Sequence, residues 1–261
     1  MEAGRMNINI NADMGESFGP WPMGDDASLI QVINSANVAC GFHAGDPVHM
    51  VTTVQRALKN GVSIGAHPAF HDLQGFGRRP TKLSDTELSA IVTYQVGALQ
   101  AIAAAQGGAV THVKPHGAMS NMACADDAMA NVIATAVRAI NADLILLAPA
   151  CSALARAGET AGLRVAIEVF ADRAYQDDGQ LVPRSQPHAM VHGAEASAAH
   201  VLGMLAAGGL VCLSGKVLPT PIHSICVHGD NPEAVASAMA VRDAVKAKGY
   251  TLKSIDALLS N

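Results

Sequence analysis

Four times along this chain, a short run that reads as a strand leads into a histidine in a turn that carries glycine or proline. The stretches are Asn37 to Asp46 (Asn-Val-Ala-Cys-Gly-Phe-His-Ala-Gly-Asp), Gly65-Ala66-His67-Pro68, Lys114-Pro115-His116-Gly117 and Val227-His228-Gly229-Asp230. One such junction could be chance. Four on separate predicted strands point to one site assembled from many strand ends. In the first, Asp46 is placed to cap a helix through the orphan N–H groups of its first turn. Pro47 suits the first helical position, where no N–H is needed. A helix start in that loop favours anions by about 0.3–1 kcal/mol.

The order of elements says what sheet those ends belong to. Met6 to Asn11 alternates with period two, as a strand does, and Asn11 to Glu16 reads as a polar loop. A helix is expected over Asp25 to Ala36 and a strand over Asn37 to Ala39. Val48, Val51, Val54 and Leu58 mark one helical face that Gly61 stops. Val62 to Ala66 is a strand, and His67 to Pro80 a loop bearing glycine and arginine. Ser84 and Glu87 form a capping box before a long Ala-rich helix that ends near Gly107-Gly108. Strands follow at Thr111 to Lys114, Leu144 to Leu147, Val165 to Val169, Leu210 to Leu213 and Ser224 to Val227. Helices are expected at Asp126 to Ile140, to Ala157, at Glu195 to Ala207 and from Asn231-Pro232 to Gly249. Phe170 to Gly193 is a long polar loop of the kind that is more often functional than idle.

Strand, loop and helix thus alternate seven or eight times, which calls for a parallel sheet with crossover helices. In a (β/α) barrel every polar motif would fall on the C-terminal face, where active sites sit. An open doubly wound sheet, the alternative, would gather ligand at one crevice instead. The barrel is the better reading, and 261 residues suit one such domain, 1–261. Met1 to Arg5 reads as a disordered lead.

Composition removes several function classes. A net charge of -5 without a basic run, and 3% aromatics, argue against nucleic-acid binding. Five cysteines without a C-x-x-C fit reduced thiols in the cytoplasm better than disulfides or a zinc knuckle. Ala196 to Gly215 lacks formal charge, but Gly208-Gly209 divides it into helix, turn and strand, so no membrane span is expected.

The candidate chemistry is carried by few side chains. Asp13 and Glu16 are paired carboxylates that could hold a divalent cation or share acid and base duty; turn chemistry is the bland alternative. At least two of His43, His67, His116 and His228 are expected to face a common pocket, the other seven histidines being structural or solvated by default, with His188 and His192 weak candidates beside the long loop. A metal on Asp13, His67 and His116 would have to be built from dispersed strand ends. Lys114 ends a protected strand, where an unpaired ammonium is costly. It either pairs with Asp13 or Glu16 or meets phosphate or a developing oxyanion. Arg78 or Arg79 could grip a carboxylate. Gly209 to Lys216 has the wrong spacing for a Walker motif. Cys40 and Cys226 read as small buried side chains rather than nucleophiles.

Together with Ile10 to Glu16, His112 to Gly117, Phe170-Ala171-Asp172-Arg173 and Leu181 to Gln186, these stretches resemble the LamB/YcsF family of 5-oxoprolinase A subunits, over about Met6 to Gly249. The resemblance implies a seven-stranded α/β barrel of the glycoside hydrolase/deacetylase kind. It implies ATP-dependent opening of 5-oxo-L-proline to L-glutamate, with Mg2+ and in concert with subunits B and C. The positions it brings forward for catalysis are Asp13, Glu16, His43, Asp46, His67, Lys114, His116, His228 and Asp230. For substrate binding they are Asn11, Arg78, Asn121, Asp172, Arg173 and Arg184. A metal-dependent amidohydrolase or deacetylase without ATP, or a non-catalytic substrate-binding subunit, is the alternative. Two positions depart from the family pattern. Asn9 stands where Asp is usual, removing a charge expected near Asp13. Ser120 stands where Tyr is common, which leaves another lactam or amide open as substrate.

Overall fold

The computed structural model describes residues 6–228 and 232–260. In chain order the elements are β1 (Asn7–Met14), α1 (Asp26–Leu29), β2 (Ser35–Ala39), α2 (Pro47–Lys59), β3 (Ser63–His67), α3 (Asp85–Ala105) and β4 (Val110–Val113). Then come α4 (Gly117–Ala125), α5 (Asp127–Ile140), β5 (Ile145–Pro149), α6 (Ala153–Thr160), β6 (Arg164–Phe170) and α7 (Ala194–Ala207). The chain finishes with β7 (Gly209–Val211), β8 (Val217–Pro219), β9 (Ser224–Val227), α8 (Pro232–Ala247), β10 (Thr251–Leu252) and α9 (Ile255–Leu258). Strands β1, β2, β3, β4, β5, β6 and β9 pair in that order, all parallel, and β9 closes on β1. The result is a closed seven-stranded (β/α) barrel.

The alternation in β1 explains how the barrel is filled. Ile8, Ile10, Ala12 and Met14 join the core between sheet and helices, while Asn9, Asn11 and Asp13 point into the lumen. Barrel interiors are usually layered with branched apolar side chains, but much of this one is polar and hydrogen-bonded. Asn9 Nδ2 donates to Ser35 Oγ (2.8 Å) and the Lys253 carbonyl (2.8 Å), and Ser224 Oγ donates to Asn9 Oδ1 (2.6 Å). Asn11 Nδ2 donates to Ser224 Oγ (2.7 Å), and Asn37 Nδ2 to Asn11 Oδ1 (2.8 Å). The His112 ring reaches Asn37 Oδ1 at 3.0 Å. It has room only because residue 65 is glycine, where a Cβ would stand 2.1 Å from the His112 Nε2. Ile145, Leu147 and Ala166 form the lumen's apolar part, and Ile255 of α9 packs against them.

Several boundaries differ from the sequence reading. β1 runs to Met14, so Asp13 lies on the strand and not in the following loop. Asn9 belongs to the closed end of the lumen, about 13 Å below Asp13 at ~3.3 Å per residue. The departure at that position therefore bears on lumen packing rather than on the mouth. α1 is a single turn rather than a helix to Ala36, because Ser35 already starts β2 opposite Asn11 and Ser63. The expected strand at Leu210 to Leu213 is no barrel stave. It pairs antiparallel with β8 as a small hairpin outside the barrel. α4, directly after His116, has no counterpart in the sequence reading. Residues 196–215 are helix, turn and strand as expected. Among the described residues the helix long and apolar enough for a span is α3, whose Val92, Val96, Leu99 and Ala103 are buried. The lead at Met1 to Arg5 lies outside the described residues.

Candidate active site

The strand ends build the site from its floor upward. Lys114, just past β4, is 3% exposed. Its Nζ lies 3.2 Å from Asp13 Oδ1, 3.1 Å from Glu168 Oε2, 3.2 Å from Asn11 Oδ1 and 3.1 Å from Cys226 Sγ. Burial works against the ammonium, but Asp13, Cys226 and Glu168 together raise its pKa well above the ordinary lysine value. Asp13 shows the reverse balance. Burial would neutralise it, yet His67 and Lys114 hold its carboxyl well below the usual range, so it is an anion. Burial dominates at Glu168 and pushes its carboxyl up despite Lys114. The expected partners of Lys114 were Asp13 or Glu16. The structure gives Asp13 and, from inside β6, Glu168.

Three imidazoles form one wall. His67 Nδ1 donates to the Lys114 carbonyl (2.6 Å), and its Nε2 lies 3.2 Å from Asp13 Oδ2. His116 Nε2 donates to the Phe76 carbonyl (2.9 Å). With both outer nitrogens donating to carbonyls, the inner ones, His67 Nε2 and His116 Nδ1, face each other at 2.9 Å. Two lone pairs would repel there, so the arrangement needs a shared proton or a cation at that point. His43 stacks on His116 (3.8 Å between centroids) and its Nε2 meets Glu16 Oε1 at 3.0 Å. Ligand atoms of Glu16, His43, His67 and His116 lie within 4.8 Å of one another. These residues therefore fit a divalent metal in donor type, and His67 and His116 have their outer N–H groups anchored as metal-ligating histidines require.

The loop after β3 locks this wall. Phe76 adopts φ +55, rare for a residue with a side chain, and this aims its carbonyl at His116. Gly77, with φ +65, lies so close that a Cβ would stand 2.8 Å from both His116 Cδ2 and His43 Cβ. Its carbonyl receives the Ala118 N–H at the start of α4 (2.9 Å).

The opposite wall comes from β9 and the loop after β6. His228 Nδ1 bonds Asp172 Oδ2 at 2.8 Å. Burial disfavours the imidazolium, but Asp172, this hydrogen bond and Asp13 outweigh it and raise the His228 pKa. Ligand atoms of Asp13, Cys226 and His228 also lie within 4.8 Å of one another. Above them opens a cavity of about 950 Å³, lined among others by Asn121, Arg78, Arg173 and Arg184.

Most expected residues thus meet at one mouth, but Asp46, Asn11, His43, Asp172 and Arg79 do not line it; Asp172 holds His228, and Arg79 pairs with Asp72. Asp46 caps α2 as expected, but both its oxygens are thereby used. One takes the Val48 and His49 N–H groups, the other the Gly19 N–H and the His49 ring. It does not line the cavity, and the helix start it fills is not open to an anion. Asn11 lies beneath the floor and orients Lys114 rather than substrate. His43 stands behind His116. Asp230 lies outside the described residues. Glu168 was missed, because a lone acid inside an apolar run gives no local sign of a partner on a distant strand. The cysteines are not activated: burial pushes the Cys40 thiol up to about 12 and the Cys226 thiol well above the usual value.

The buried rings set the acid stability of the fold. Away from the position shared by His67 and His116, burial lowers the pKa of His43, and that of His112 to about 3. Above pH 6.5 neither folded nor unfolded chain binds these protons, and stability is flat with respect to them. Below 6.5 the unfolded chain protonates first, so stability falls by up to about 1.4 kcal/mol per ring and pH unit. Denaturant midpoints from pH 8 to pH 5 are expected to drop only below 6.5.

A closed parallel barrel whose mouth joins an ionised carboxylate, a buried ammonium and an aspartate-held histidine has the make-up of a hydrolase of the barrel type. The LamB/YcsF family profile matches residues 8–260, and the chain belongs to the LamB/YcsF family. It is 60% identical over 247 residues to the 5-oxoprolinase A subunit of Azoarcus sp. strain BH72, covering 95% of this chain and 96% of the relative. The crystal structure of a lactam utilization protein from Thermus thermophilus superposes with a TM-score of 0.89 at 40% identity, covering 95% of this chain and 100% of that one. The catalytic domain of a peptidoglycan N-acetylglucosamine deacetylase from Eubacterium rectale shares the fold alone, with a TM-score of 0.52 at 11% identity over 97% of this chain and 90% of that one.

Proposed function

We propose that this chain is the lactam-opening subunit of an ATP-dependent 5-oxoprolinase. It would convert 5-oxo-L-proline to L-glutamate together with subunits B and C. The observation that carries the reading is one pocket holding a base, a cation and an acid: Asp13 Oδ1 is 3.2 Å from Lys114 Nζ, and both lie beside the Asp172-held His228. The names of the relatives support the substrate.

A five-membered lactam resists water, and MgATP would supply activation by phosphorylating its carbonyl oxygen. The residues of this chain then have distinct tasks. Asp13, oriented by His67, takes a proton from the water that adds to the carbonyl carbon. Lys114 steadies charge on the oxygen of that carbon. His228 gives a proton to the ring nitrogen as the carbon–nitrogen bond breaks, and Asp172 holds its ring through Nδ1. The acyl phosphate so formed is hydrolysed by a second water, giving glutamate and phosphate. Arg78 would hold the substrate carboxylate.

The test combines this chain with subunits B and C, MgATP and 5-oxo-L-proline, and then omits each component. Glutamate and ADP are expected only from the full set. Glutamate from this chain without ATP would overturn the reading. It would favour instead a metal-dependent amidohydrolase, which the facing nitrogens of His67 and His116 support. Chelation would then abolish the activity.

A further inference from the structure

One level of the barrel wall leads to Asp13. On four neighbouring strands, Asp13, Asn37, Gly65 and His112 are register partners in turn. Gly65 brings no side chain to that level, and a Cβ there would overlap the His112 ring. His112 therefore reaches across β3, and its Nε2 meets Asn37 Oδ1 at 3.0 Å. Asn37 and His112 are both fully buried, so their polar atoms need partners.

The proton positions follow from Asp13. Its carboxylate is an anion and can only accept. Asn11 Oδ1, which takes Lys114 Nζ at 3.2 Å, accepts as well. The Asn37 amide faces both, at 2.9 and 2.8 Å. Its nitrogen must be turned to them, and both its N–H groups are thereby used. Its oxygen is then turned to His112, so Nε2 of that ring carries the proton. Nδ1 keeps a lone pair, and the Thr111 hydroxyl donates to it (2.8 Å) rather than to the Ile64 carbonyl (3.2 Å). Burial pushes the His112 pKa down to about 3, which keeps the ring neutral with this one N–H. A run of donors thus leads from Thr111 through His112 and Asn37 to Asp13, and hydrogen bonds aligned in series strengthen one another.

We propose that Thr111, His112 and Asn37 are positioning residues: their relay, with Lys114, fills Asp13 Oδ1 with donors and leaves Oδ2 as the oxygen that takes the proton from water. This rests on the function proposed above. Oδ1 receives Asn37 Nδ2 at 2.9 Å and Lys114 Nζ at 3.2 Å, which occupies both its lone pairs. Oδ2 has the His67 Nε2 beside it at 3.2 Å, and that nitrogen also faces His116 Nδ1 at 2.9 Å. Asp13 lines the cavity, and none of the three relay residues does. They therefore act on turnover through Asp13 and not on the binding of substrate.

Two measurements test this. Long-range nitrogen–proton correlation spectra of the isotope-labelled chain are expected to show His112 protonated at Nε2 and bare at Nδ1, its signals being identified by their loss in His112→Gln. A ring protonated at Nδ1 instead overturns the relay, whatever the reaction. Turnover is then measured with subunits B and C, MgATP and 5-oxo-L-proline. His112→Met, which cannot donate to Asn37, should lower kcat for glutamate by about 10- to 100-fold with KM for 5-oxo-L-proline unchanged. His112→Gln brings an N–H close to the place of Nε2 and should recover most of that loss. A ring that merely fills the lumen would make the two variants alike. Thr111→Val keeps the shape on β4 and should lower kcat about threefold or more, which keeps the test valid if His112→Met does not fold. A loss under about threefold in His112→Met, equal losses in the two His112 variants, or a raised KM in place of the lowered kcat overturns the relay and leaves the reaction standing. If the unmodified chain makes no glutamate with the full set of subunits, the function proposed above falls, and the spectrum decides the relay by itself.

Discussion

Changing His228 to glutamine is expected to uncouple ATP use from ring opening. Once water has added to the activated carbon of the proposed intermediate, that carbon carries two groups that can leave. Phosphate departs readily, and its departure regenerates the lactam with ATP wasted. The ring amine departs only if it is protonated as the bond breaks. His228 is the side chain on that wall held as an acid, because Asp172 and Asp13 outweigh the effect of burial. Without it, glutamate formation should fall by about 10²–10⁴-fold, while ADP release in the presence of 5-oxo-L-proline continues. The ratio of ADP to glutamate then rises far above one. The same ratio should climb in the unmodified protein as pH rises through the elevated His228 pKa, since the proton to be donated is lost there. Asp172→Asn should act in the same direction and more weakly. Measuring both products in one reaction decides the matter: if they decline in parallel, His228 does not govern which group leaves.

The barrel was legible because its rules are local. Period-two runs, capping residues such as Ser84 with Glu87, and glycine stops each announce themselves within a few residues. Seven such units leave a closed parallel sheet as the economical solution. The hairpin at β7 and β8 was misread for the same reason. Leu210 to Leu213 is apolar and flanked by turn residues, and nothing local says that its partner runs antiparallel. At the site, the histidines could be found because they sit at strand ends in turns that carry glycine or proline. Asp46 fitted that pattern equally well, since a cap and a catalytic acid use the same residue type in the same place. Only the folded structure shows both its oxygens consumed by N–H groups and the His49 ring. The pairing of Lys114 with Glu168 spans 54 positions of sequence, so neither residue carries a sign of the other.

Asp13→Asn should stop turnover while leaving the fold in place, and the two outcomes can be separated because Lys114 has two counter-charges. In the unmodified protein, Asp13 lies 3.2 Å from Lys114 Nζ and 3.2 Å from His67 Nε2. Its carboxylate is kept ionised by these two neighbours, which an amide cannot answer in kind. Asparagine keeps the shape but cannot take a proton from water, so glutamate formation by the full set of subunits should fall by about 10²–10⁴-fold. Lys114 keeps Glu168 at 3.1 Å, so the loss of stability should stay near the roughly 1–3 kcal/mol of one disrupted buried polar contact. Lys114→Met has the opposite balance. It leaves Asp13 and Glu168 facing each other without a cation, and removing one partner of a buried ion pair costs about 3–5 kcal/mol. Thermal melts of the two variants should therefore differ clearly while both lack activity. An Asp13→Asn protein that melts normally and still forms glutamate within about tenfold of the unmodified rate would remove Asp13 from the chemistry and leave it as a counter-ion alone, since a lost general base costs more than that.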